Sequence, residues 1–338
     1  MCDELSSIII NKTIPPIKNT ASLDGHTDVG ENVDVIELGR TVCYIVAAVL
    51  INDNNEVLLI QEAKVSCYGQ WYLPAGRVEP DETLTDAVKR EVLEEAGCNF
   101  EPTGLICIEE NGAGWIRFTF GGKITGGSLK TQDKSDKESL QAKWFADYES
   151  EKLRARDILR LITQAKTYYR CLKEDNSERS TTLLPKIISH KSIVVRSVIL
   201  SELNQLLHIL SIKESCHEDS DQWKTLLPTT YFSLFDIRIE DSILRTLGRC
   251  LSDVNAWQPT IVGILDVEHK GNSSENQDGI GFTVLVVLAD KHIAQGTQLP
   301  KLNQDLAKWE ELDRTLQDTF IAGHRERNIV PLLSLGRR

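Results

Sequence analysis

The stretch that most constrains this chain is Gly76–Cys98, with the sequence GRVEPDETLTDAVKREVLEEAGC. Its aliphatic positions Leu84, Val88 and Val92 recur every four residues, which predicts an amphipathic helix with one buried stripe. Thr83–Asp86 has the composition of a helix N-terminal cap, and a glycine ends the pattern. We therefore expect a loop that leads into a helix with well-defined ends.

Three glutamates share one side of this predicted helix. Glu91, Glu94 and Glu95 stand at positions i, i+3 and i+4, so their carboxylates converge. Carboxylate and carbonyl oxygens are the ligands that Mg²⁺ and Mn²⁺ prefer, and Mg²⁺ sites commonly share oxygens with substrate phosphates. Gly76 opens the preceding loop, where a backbone without a side chain can approach an ion closely. The pattern favours a divalent-metal site for phosphate chemistry, and the alternative is a solvated acidic helix.

The whole stretch resembles the Nudix box, G-x5-E-x7-R-E-U-x-E-E-x-G-U, where U is an aliphatic residue. Every fixed position matches except the last, where Cys98 replaces an aliphatic residue. Cysteine packs as a small hydrophobic side chain, so this departure changes little. Nudix enzymes hydrolyse nucleoside diphosphates linked to another group, and the resemblance implies the same class of reaction here.

The resemblance also implies a role for each fixed position. Either Glu91 or Glu94 would be the general base. The metal ligands would be Gly76 through its carbonyl, Glu91, Glu94 and Glu95, with Glu138 as a further candidate at the start of a predicted strand. The alternative for Glu138 is a solvated loop acid. Structural support for the site would come from Glu82, Arg90 and Gly97.

Composition narrows the function further. The formal net charge of −12 argues against non-specific binding of nucleic acid, which needs a basic face. Residues 76–110 carry ten acidic and three basic side chains, so much of the excess negative charge surrounds the box. A phosphate substrate approaches such a region only with cations, so Mg²⁺ or Mn²⁺ dependence is expected.

The cysteines and the hydropathy pattern bear on location. Eight cysteines are scattered without a C-x-x-C pair or zinc-ligand spacing, which indicates reduced thiols in a cytosolic protein. No apolar run approaches the ~20 residues that a membrane-spanning helix needs. The first residues lack the basic region of a signal peptide. We expect a cytoplasmic protein without membrane attachment.

The chain is expected to divide into four parts. Residues 1–38 read as a flexible lead, with a docked strand at 8–10 as the alternative. Residues 39–171 read as the Nudix hydrolase domain, and the charged stretch 172–182 reads as a linker. Residues 183–338 read as a smaller α+β domain without a catalytic motif, which could bind a protein partner.

Within the Nudix domain, short apolar runs predict strands. Thr41–Ile51 and Val57–Gln61 are expected to form a hairpin, and Leu153–Cys171 has the spacing of a helix. Two helices would then cover the two faces of a mixed sheet. This α/β class, an α/β/α sandwich, agrees with the Nudix fold. Farther along, Ile193–Leu210 predicts a strand that runs into a helix, and Asn303–Phe320 predicts a helix.

Substrate choice rests on a wider resemblance. Residues 41–170 are similar to Nudix enzymes that hydrolyse 8-oxoguanine nucleoside diphosphates to monophosphates. An oxidised guanine needs flat walls and hydrogen-bonding groups. Candidate walls, for each of which core packing is the alternative, are Trp71, Tyr72, Trp115 and Trp144. Competing functions are hydrolysis of ADP-ribose, dinucleotides or coenzymes, and a catalytically silent Nudix module that only binds or regulates.

Overall fold

The structure is a computed structural model. It describes residues 7–8, 14–17, 38, 40–111, 114–174, 182–215, 223–232, 236, 238–272, 275, 277–290, 297–326 and 329–334. In chain order the elements are β1 (Tyr44–Ala48), β2 (Val57–Glu62), β3 (Trp71–Tyr72), β4 (Ala75–Arg77), α1 (Leu84–Ala96), β5 (Cys98–Glu110), β6 (Ile116–Gly127), β7 (Ser139–Phe145), α2 (Ile158–Glu174), β8 (His190–Leu203), β9 (Leu206–Ser215), β10 (Trp223–Leu226), β11 (Thr229–Tyr231), α3 (Ile239–Cys250), β12 (Trp257–Glu268), β13 (Asp278–Asp290), β14 (Ala307–Glu311), α4 (Arg314–Glu326) and β15 (Leu332–Ser334).

The chain forms two compact units. The first unit contains residues 38–185, together with the described residues 271–272 and 333–334. The second unit contains most of the chain from residue 186 to residue 332 and also the described residues near the start of the sequence. Among the described residues, no helix is both long and apolar enough to cross a membrane.

The first unit is built on two sheets. One is mixed and has the order β15-β5-β6-β1-β4, with β1 parallel to β6 and antiparallel to β4. The other is antiparallel and has the order β3-β2-β7. Helix α1 packs against strands of both sheets, and α2 packs against β5 and β6. The α/β class with a mixed sheet, expected from the sequence, is confirmed.

The hairpin expected from the first two apolar runs is wrong. Strand β1 already has a neighbour on each side, β6 and β4, so it has no free edge for β2. The turn begun by Asn52 carries the chain into the other sheet, where β2 pairs with β3 and β7. Only a single bridge, between Ile51 and Val57, joins the two runs.

Helix α2 begins and ends later than the sequence pattern indicated. It covers Ile158–Glu174 rather than 153–171, so the first residues of the expected linker 172–182 are helical. Its buried face is formed by Ile158, Leu161, Ile162 and Ala165, which lie in one core cluster with Trp71 and Tyr72. Of the rest of the expected linker, residues 175–181 lie outside the described residues.

The second unit is a seven-stranded sheet with helices. Its main path is β10-β9-β8-β13-β12, with β11 added to β8 and β14 added to β9. The predicted passage from strand to helix in 193–210 is wrong. Asn204 and Gln205 both have positive φ, at 53° and 65°, and form the tight turn of the β8–β9 hairpin. The expected helix at 303–320 is likewise a strand, β14, followed by α4.

The described residues of the predicted flexible lead are packed. Ile8 is 2% exposed and lies in a core cluster of the second unit. The backbone N–H of Ile17 donates to both carboxylate oxygens of Glu268, at 3.0 and 3.2 Å. Lys186 Nζ donates to the Ile14 carbonyl at 2.5 Å, and Arg196 donates to the Pro15 carbonyl at 2.7 Å. The described residues of this segment are therefore held by packing and hydrogen bonds, whereas the sequence predicted a flexible lead.

Candidate active site

Helix α1 is fixed at both ends by the residues that the motif supplies. The Thr83 hydroxyl accepts a hydrogen bond from the backbone N–H of Asp86 at 3.1 Å, which caps the first turn. Gly97 ends the helix with φ of 77°, and its N–H donates to the Leu93 carbonyl. A Cβ on Gly97 would also lie 2.6 Å from the Ser128 carbonyl oxygen. The helix is therefore held in one register.

The register of α1 sets the exposure of its glutamates. Glu91 and Glu95 point inward and are 7% and 1% exposed. Glu94 points outward, with 45% of its side chain exposed. The three carboxylates on one helix side thus lie at different depths, two buried and one at the surface.

Gly76 is placed directly against Glu91. Strand β1 pairs Val46 with Gly76, which fixes the loop beside the helix. A Cβ on Gly76 would lie 2.0 Å from Glu91 Oε1. Only glycine leaves room for the carboxylate at this position, so the Gly76 backbone and the Glu91 side chain face the same small space.

Arg90 ties the acidic groups together. Its guanidinium donates to both carboxylate oxygens of Glu82, each at 2.8 Å, and to the Arg77 carbonyl at 3.0 Å. The same group donates to Glu91 at 2.7 Å and to Glu94 at 3.3 Å. Bidentate Arg–carboxylate pairs are strong and fixed in geometry. Arg90 therefore locks the loop that carries Glu82 onto the helix.

Glu95 is the most buried acid of the box. It accepts a hydrogen bond from the Ala75 backbone N–H at 2.9 Å. Burial raises the pKa of Glu95 to about 8, and burial also raises the pKa of Glu91. Two adjacent buried carboxylates are costly to ionise unless a cation lies nearby.

These residues fit a hard cation in chemistry but are not arranged as a finished ligand set. The glycine backbone and the carboxylates offer oxygen donors, which suits Mg²⁺ or Mn²⁺. Among the described residues, however, no three His, Cys, Asp or Glu side chains are grouped to hold an ion. Arg90 instead neutralises Glu91 and Glu94 through its own hydrogen bonds. A metal would compete with Arg90 for these two carboxylates.

Three residues that the sequence analysis did not single out anchor the end of α1. Lys130 Nζ donates to the Glu94 carbonyl at 2.5 Å and to Asp136 at 2.9 Å. The Ser139 hydroxyl donates to the Glu95 carbonyl at 2.5 Å. Glu138 directly precedes Ser139, so its backbone lies beside this end of the helix. The Glu138 side chain forms an ion pair with Lys137 at 3.4 Å.

The four aromatic candidates lie in different surroundings. Trp71 is 7% exposed and makes an edge contact with Phe145, with ring centroids 4.6 Å apart. Tyr72 is equally buried, and burial raises its pKa to about 12. Trp115 is half-buried, with the Arg117 guanidinium 5.3 Å from its ring centroid. Trp144 lines a separate cavity. The structure does not bring these four rings together as the walls of one pocket.

A buried charged network surrounds Tyr72, and no motif signalled it. Arg117 donates to Glu109 at 2.6 Å, to the Tyr72 hydroxyl at 2.8 Å and to Asp157 at 2.9 Å. Arg117 and Glu109 have side chains only 6% and 1% exposed. One oxygen of Glu109 and one of Asp157 have no hydrogen-bond partner within the described part of the chain. These two oxygens are acceptors that a ligand could use.

The network reaches the box through Glu62. Arg154 donates to Glu62 at 2.6 Å, and its guanidinium lies 4.9 Å from the Tyr72 ring centroid. Glu62 is close enough to Glu95 to raise its pKa, although burial is the larger cause. No local sequence pattern signalled this cluster, because its members are far apart in the chain.

His269, in the polar stretch between two predicted strands, is a loop residue just after β12. It is nevertheless buried, being 1% exposed, and burial lowers its pKa to about 4. His217 and His292 lie outside the described residues.

Comparison with known proteins agrees with the motif. The profile described as NUDIX domain matches residues 43–161. The 8-oxo-dGDP phosphatase NUDT18 of Danio rerio is 35% identical over 318 residues, 91% of this chain and 92% of that protein. The protein of the same name from Homo sapiens is 34% identical over 90% of each chain. A solved NUDIX hydrolase from Nitrosomonas europaea is 30% identical, covers 37% of this chain and 88% of its own, and has a TM-score of 0.33.

Proposed function

Because the chain belongs to the Nudix family, we propose that it hydrolyses 8-oxoguanine nucleoside diphosphates, such as 8-oxo-dGDP and 8-oxo-GDP. The products are the monophosphate and inorganic phosphate, and the role is to clear oxidised nucleotides from the pool. One observation carries this proposal. The similarity to two proteins named 8-oxo-dGDP phosphatase covers about nine tenths of each chain, including the whole box.

Nudix hydrolases use divalent metal ions, and we infer Mg²⁺ or Mn²⁺ here. The oxygens of Gly76, Glu91, Glu94 and Glu95 would hold the ion. When bound, such an ion polarises the phosphate and lowers the pKa of a bound water. Glu138 is a further candidate ligand because its neighbour Ser139 is bonded to the end of α1.

Side chains of α1 would orient the site and accept the proton of the attacking water. Arg90 holds Glu82 and orients the acidic face of α1. Glu94 is the best placed general base, since its side chain is 45% exposed and its bond to Arg90, at 3.3 Å, is the longest in the cluster. A general base must reach water and change protonation without losing a buried bond. Glu91 is the alternative base, although it is buried and more tightly held.

We assign recognition of the oxidised base to the network around Tyr72. Tyr72 is three residues before Ala75, so their α-carbons are at most ~11 Å apart, comparable with the length of a nucleoside diphosphate. The 8-oxoguanine ring carries a hydrogen on N7, whereas guanine has an acceptor there. Asp157 Oδ1 has no described partner, and a third of the Asp157 side chain is exposed. A buried acceptor facing N7 would favour the oxidised base by ~1–3 kcal/mol.

A substrate panel tests this proposal. We expect a higher kcat/KM for 8-oxo-dGDP than for dGDP or 8-oxo-dGTP, and no turnover in a chelator. In Asp157→Asn the preference for 8-oxo-dGDP over dGDP should fall by about tenfold, while the exposed control Asp147→Asn keeps it. Equal efficiency on 8-oxo-dGDP and dGDP, or faster cleavage of ADP-ribose, would overturn the proposed substrate. A protein that binds nucleotides but hydrolyses none would be a silent Nudix module.

We also infer a cytosolic location and a nucleotide, not a nucleic acid or a membrane, as the ligand. The six described cysteines are all free thiols, as expected in a reducing compartment. The second unit remains a candidate surface for a protein partner. Fractionation of cells that express the tagged protein would test the location.

A further inference from the structure

The first unit contains a cavity that the box does not explain. It has a volume of about 700 Å³, within the range of small-ligand sites. None of its lining residues belongs to Gly76–Cys98 or to the network around Tyr72. It is lined by the turn after β1, by the middle of β6, by Trp144 of β7 and by the C-terminal half of α2.

The charge of this cavity is opposite to that of the chain. Four cationic side chains line it, Lys123, Lys166, Arg170 and Lys173, with Asp53 as the only acid. The whole protein carries a formal charge of −12. Over the described ranges, none of the four cations forms an ion pair with a carboxylate. Lys166 Nζ lies 5.1 Å from the Tyr148 ring centroid, a contact that leaves its charge uncompensated by an acid. Cations gathered in a concave site without carboxylate partners attract an anionic ligand.

The cavity also offers a flat aromatic surface. Trp144 is half-buried at its wall, and no other aromatic ring stacks on it within the described part of the chain. Planar bases stack on such rings in many nucleotide and single-strand sites. A ring beside several cations matches a ligand with a base at one end and phosphates at the other.

Hydrogen bonds hold the cavity walls in place. The Tyr169 hydroxyl donates to the Val49 carbonyl at 3.0 Å and accepts from the Gly122 N–H at 2.9 Å, which fixes α2 against β6. The Asn52 side chain accepts from the backbone N–H groups of Asn54 and Glu56, each at 3.0 Å, and so orders the turn after β1. A ligand would meet a preformed site rather than have to order it.

The cavity is separated from the box along β1. Val46 pairs with Gly76, whereas the cavity begins at Leu50, four residues farther along the chain. At about 3.3 Å per residue this places the two features roughly 13 Å apart. The start of the box pairs with the middle of β1, and the cavity begins beyond the C-terminal end of that strand.

We propose that this cavity is a second nucleotide-binding site, independent of metal and separate from the catalytic box. The phosphates of a nucleoside diphosphate would lie against Lys123, Lys166, Arg170 and Lys173, with the base on Trp144. This goes beyond the proposed hydrolysis, because the ligand bound here is not cleaved.

Titration of the full chain with GDP in the presence of EDTA tests this site, because the chelator removes metal-dependent binding at the box. Calorimetry should show one bound GDP. Binding should weaken at least about tenfold in Lys166→Glu/Arg170→Glu and by about tenfold in Trp144→Leu. Glu94→Gln should bind as the unmodified chain does. The control Lys134→Glu/Lys191→Glu makes the same change in net charge on two exposed lysines outside the cavity and should keep the affinity.

Hydrolysis of 8-oxo-dGDP is measured on the same proteins with Mg²⁺. Lys166→Glu/Arg170→Glu should turn over as fast as the unmodified chain, so failure of the proposed hydrolysis and failure of the second site give different results. The second site is overturned if GDP does not bind in EDTA. It is also overturned if binding is lost in Glu94→Gln but kept in Lys166→Glu/Arg170→Glu, or if the control pair weakens binding equally.

Discussion

Both units bury charged side chains, but they use them differently. In the first unit, Arg117 holds Glu109 and Asp157, and each acid keeps one oxygen without a described partner. In the second unit, both oxygens of Glu268 accept the Ile17 N–H, and one of them also contacts His190 at 2.9 Å. The two acids of the first network each keep an acceptor oxygen without a described partner, whereas both oxygens of Glu268 are bound by groups of its own unit.

The cost of an open acceptor explains why this difference matters. A buried polar group without a partner costs ~1–3 kcal/mol, so a fold keeps one where a ligand completes it. An acceptor that is already bonded to groups of its own unit stabilises the fold and needs no ligand to complete it. The contrast therefore supports the ligand recognition that we propose for the first unit, and it indicates a structural role for the Glu268 carboxylate of the second.

The largest expected effect follows from removing the cation of the first network. Arg117→Met leaves Glu109 buried without its partner, which should lower the free energy of unfolding by ~3–5 kcal/mol. Urea denaturation measures the loss. The matched control is Arg156→Met, an exposed arginine whose loss should change stability by less than ~0.5 kcal/mol. Equal stability of the two variants would mean that the network is not a tightly coupled cluster.

Glu94→Gln separates activity from stability within the box. It keeps the size of the side chain but removes its charge and basicity, so kcat should fall by at least ~10²-fold. Because Glu94 lies at the surface, the unfolding midpoint should stay close to that of the unmodified chain. Steady-state hydrolysis with Mg²⁺ measures the effect, and the exposed Glu149→Gln is the control. Undiminished turnover would remove Glu94 from the reaction.

The second unit should respond to pH rather than to substrate. Burial holds the pKa of His269 near 4, below its usual 6.5, so the unfolded chain takes up a proton that the folded chain does not. The contribution of His269 to the free energy of unfolding is then fully present above pH 6.5 and is lost as the pH falls toward 4. The contribution of His269 should drop by ~2 kcal/mol between pH 7 and pH 5.

His269→Gln should remove this part of the slope, as measured by urea denaturation at both pH values. Burial raises the pKa of Asp266 to about 6, which acts in the opposite direction. The contribution of Asp266 is the same in His269→Gln and in the unmodified chain, so it cancels when their pH slopes are compared. Parallel slopes for the variant and the unmodified chain would show that His269 is not the source.

The smallest expected effect comes from removing the second unit. The fragment 38–185 keeps the box and the Tyr72 network, so its kcat/KM for 8-oxo-dGDP should stay within the same order of magnitude. Its thermal midpoint should be lower, because β15 no longer covers the edge of β5. A folded but inactive fragment would show that the second unit contributes to the reaction.

The box was predictable because its information is local. Periodicity located α1, and the glycine at 97 ended the helix where the pattern placed its end. Strand β1 lies within the apolar run 41–51 that predicted it, and the presence of α2 followed from its spacing in the same way, although its limits did not. What these elements share is that a window of a few residues contains the signal.

The buried networks were not predictable, because their members meet only in three dimensions. Arg117 comes from β6, Tyr72 from β3 and Asp157 from the turn before α2, and nothing in their local sequence distinguishes them from surface residues. The partner of β2 was missed for a related reason. Strand pairing depends on which edges are already occupied, and that is a property of the whole sheet.

The assignment of residues to the two units has a consequence for synthesis. Residues 7–8 and 14–17 are made early but pack with residues that follow 186, whereas β15, which extends the sheet of the first unit, is made after all of them. A chain emerging from the ribosome therefore cannot complete its units in the order in which they are translated. The edge of β5 stays unpaired until β15, the last strand, has been synthesised. A nascent chain that stalls before residue 332 would therefore expose that edge to other chains.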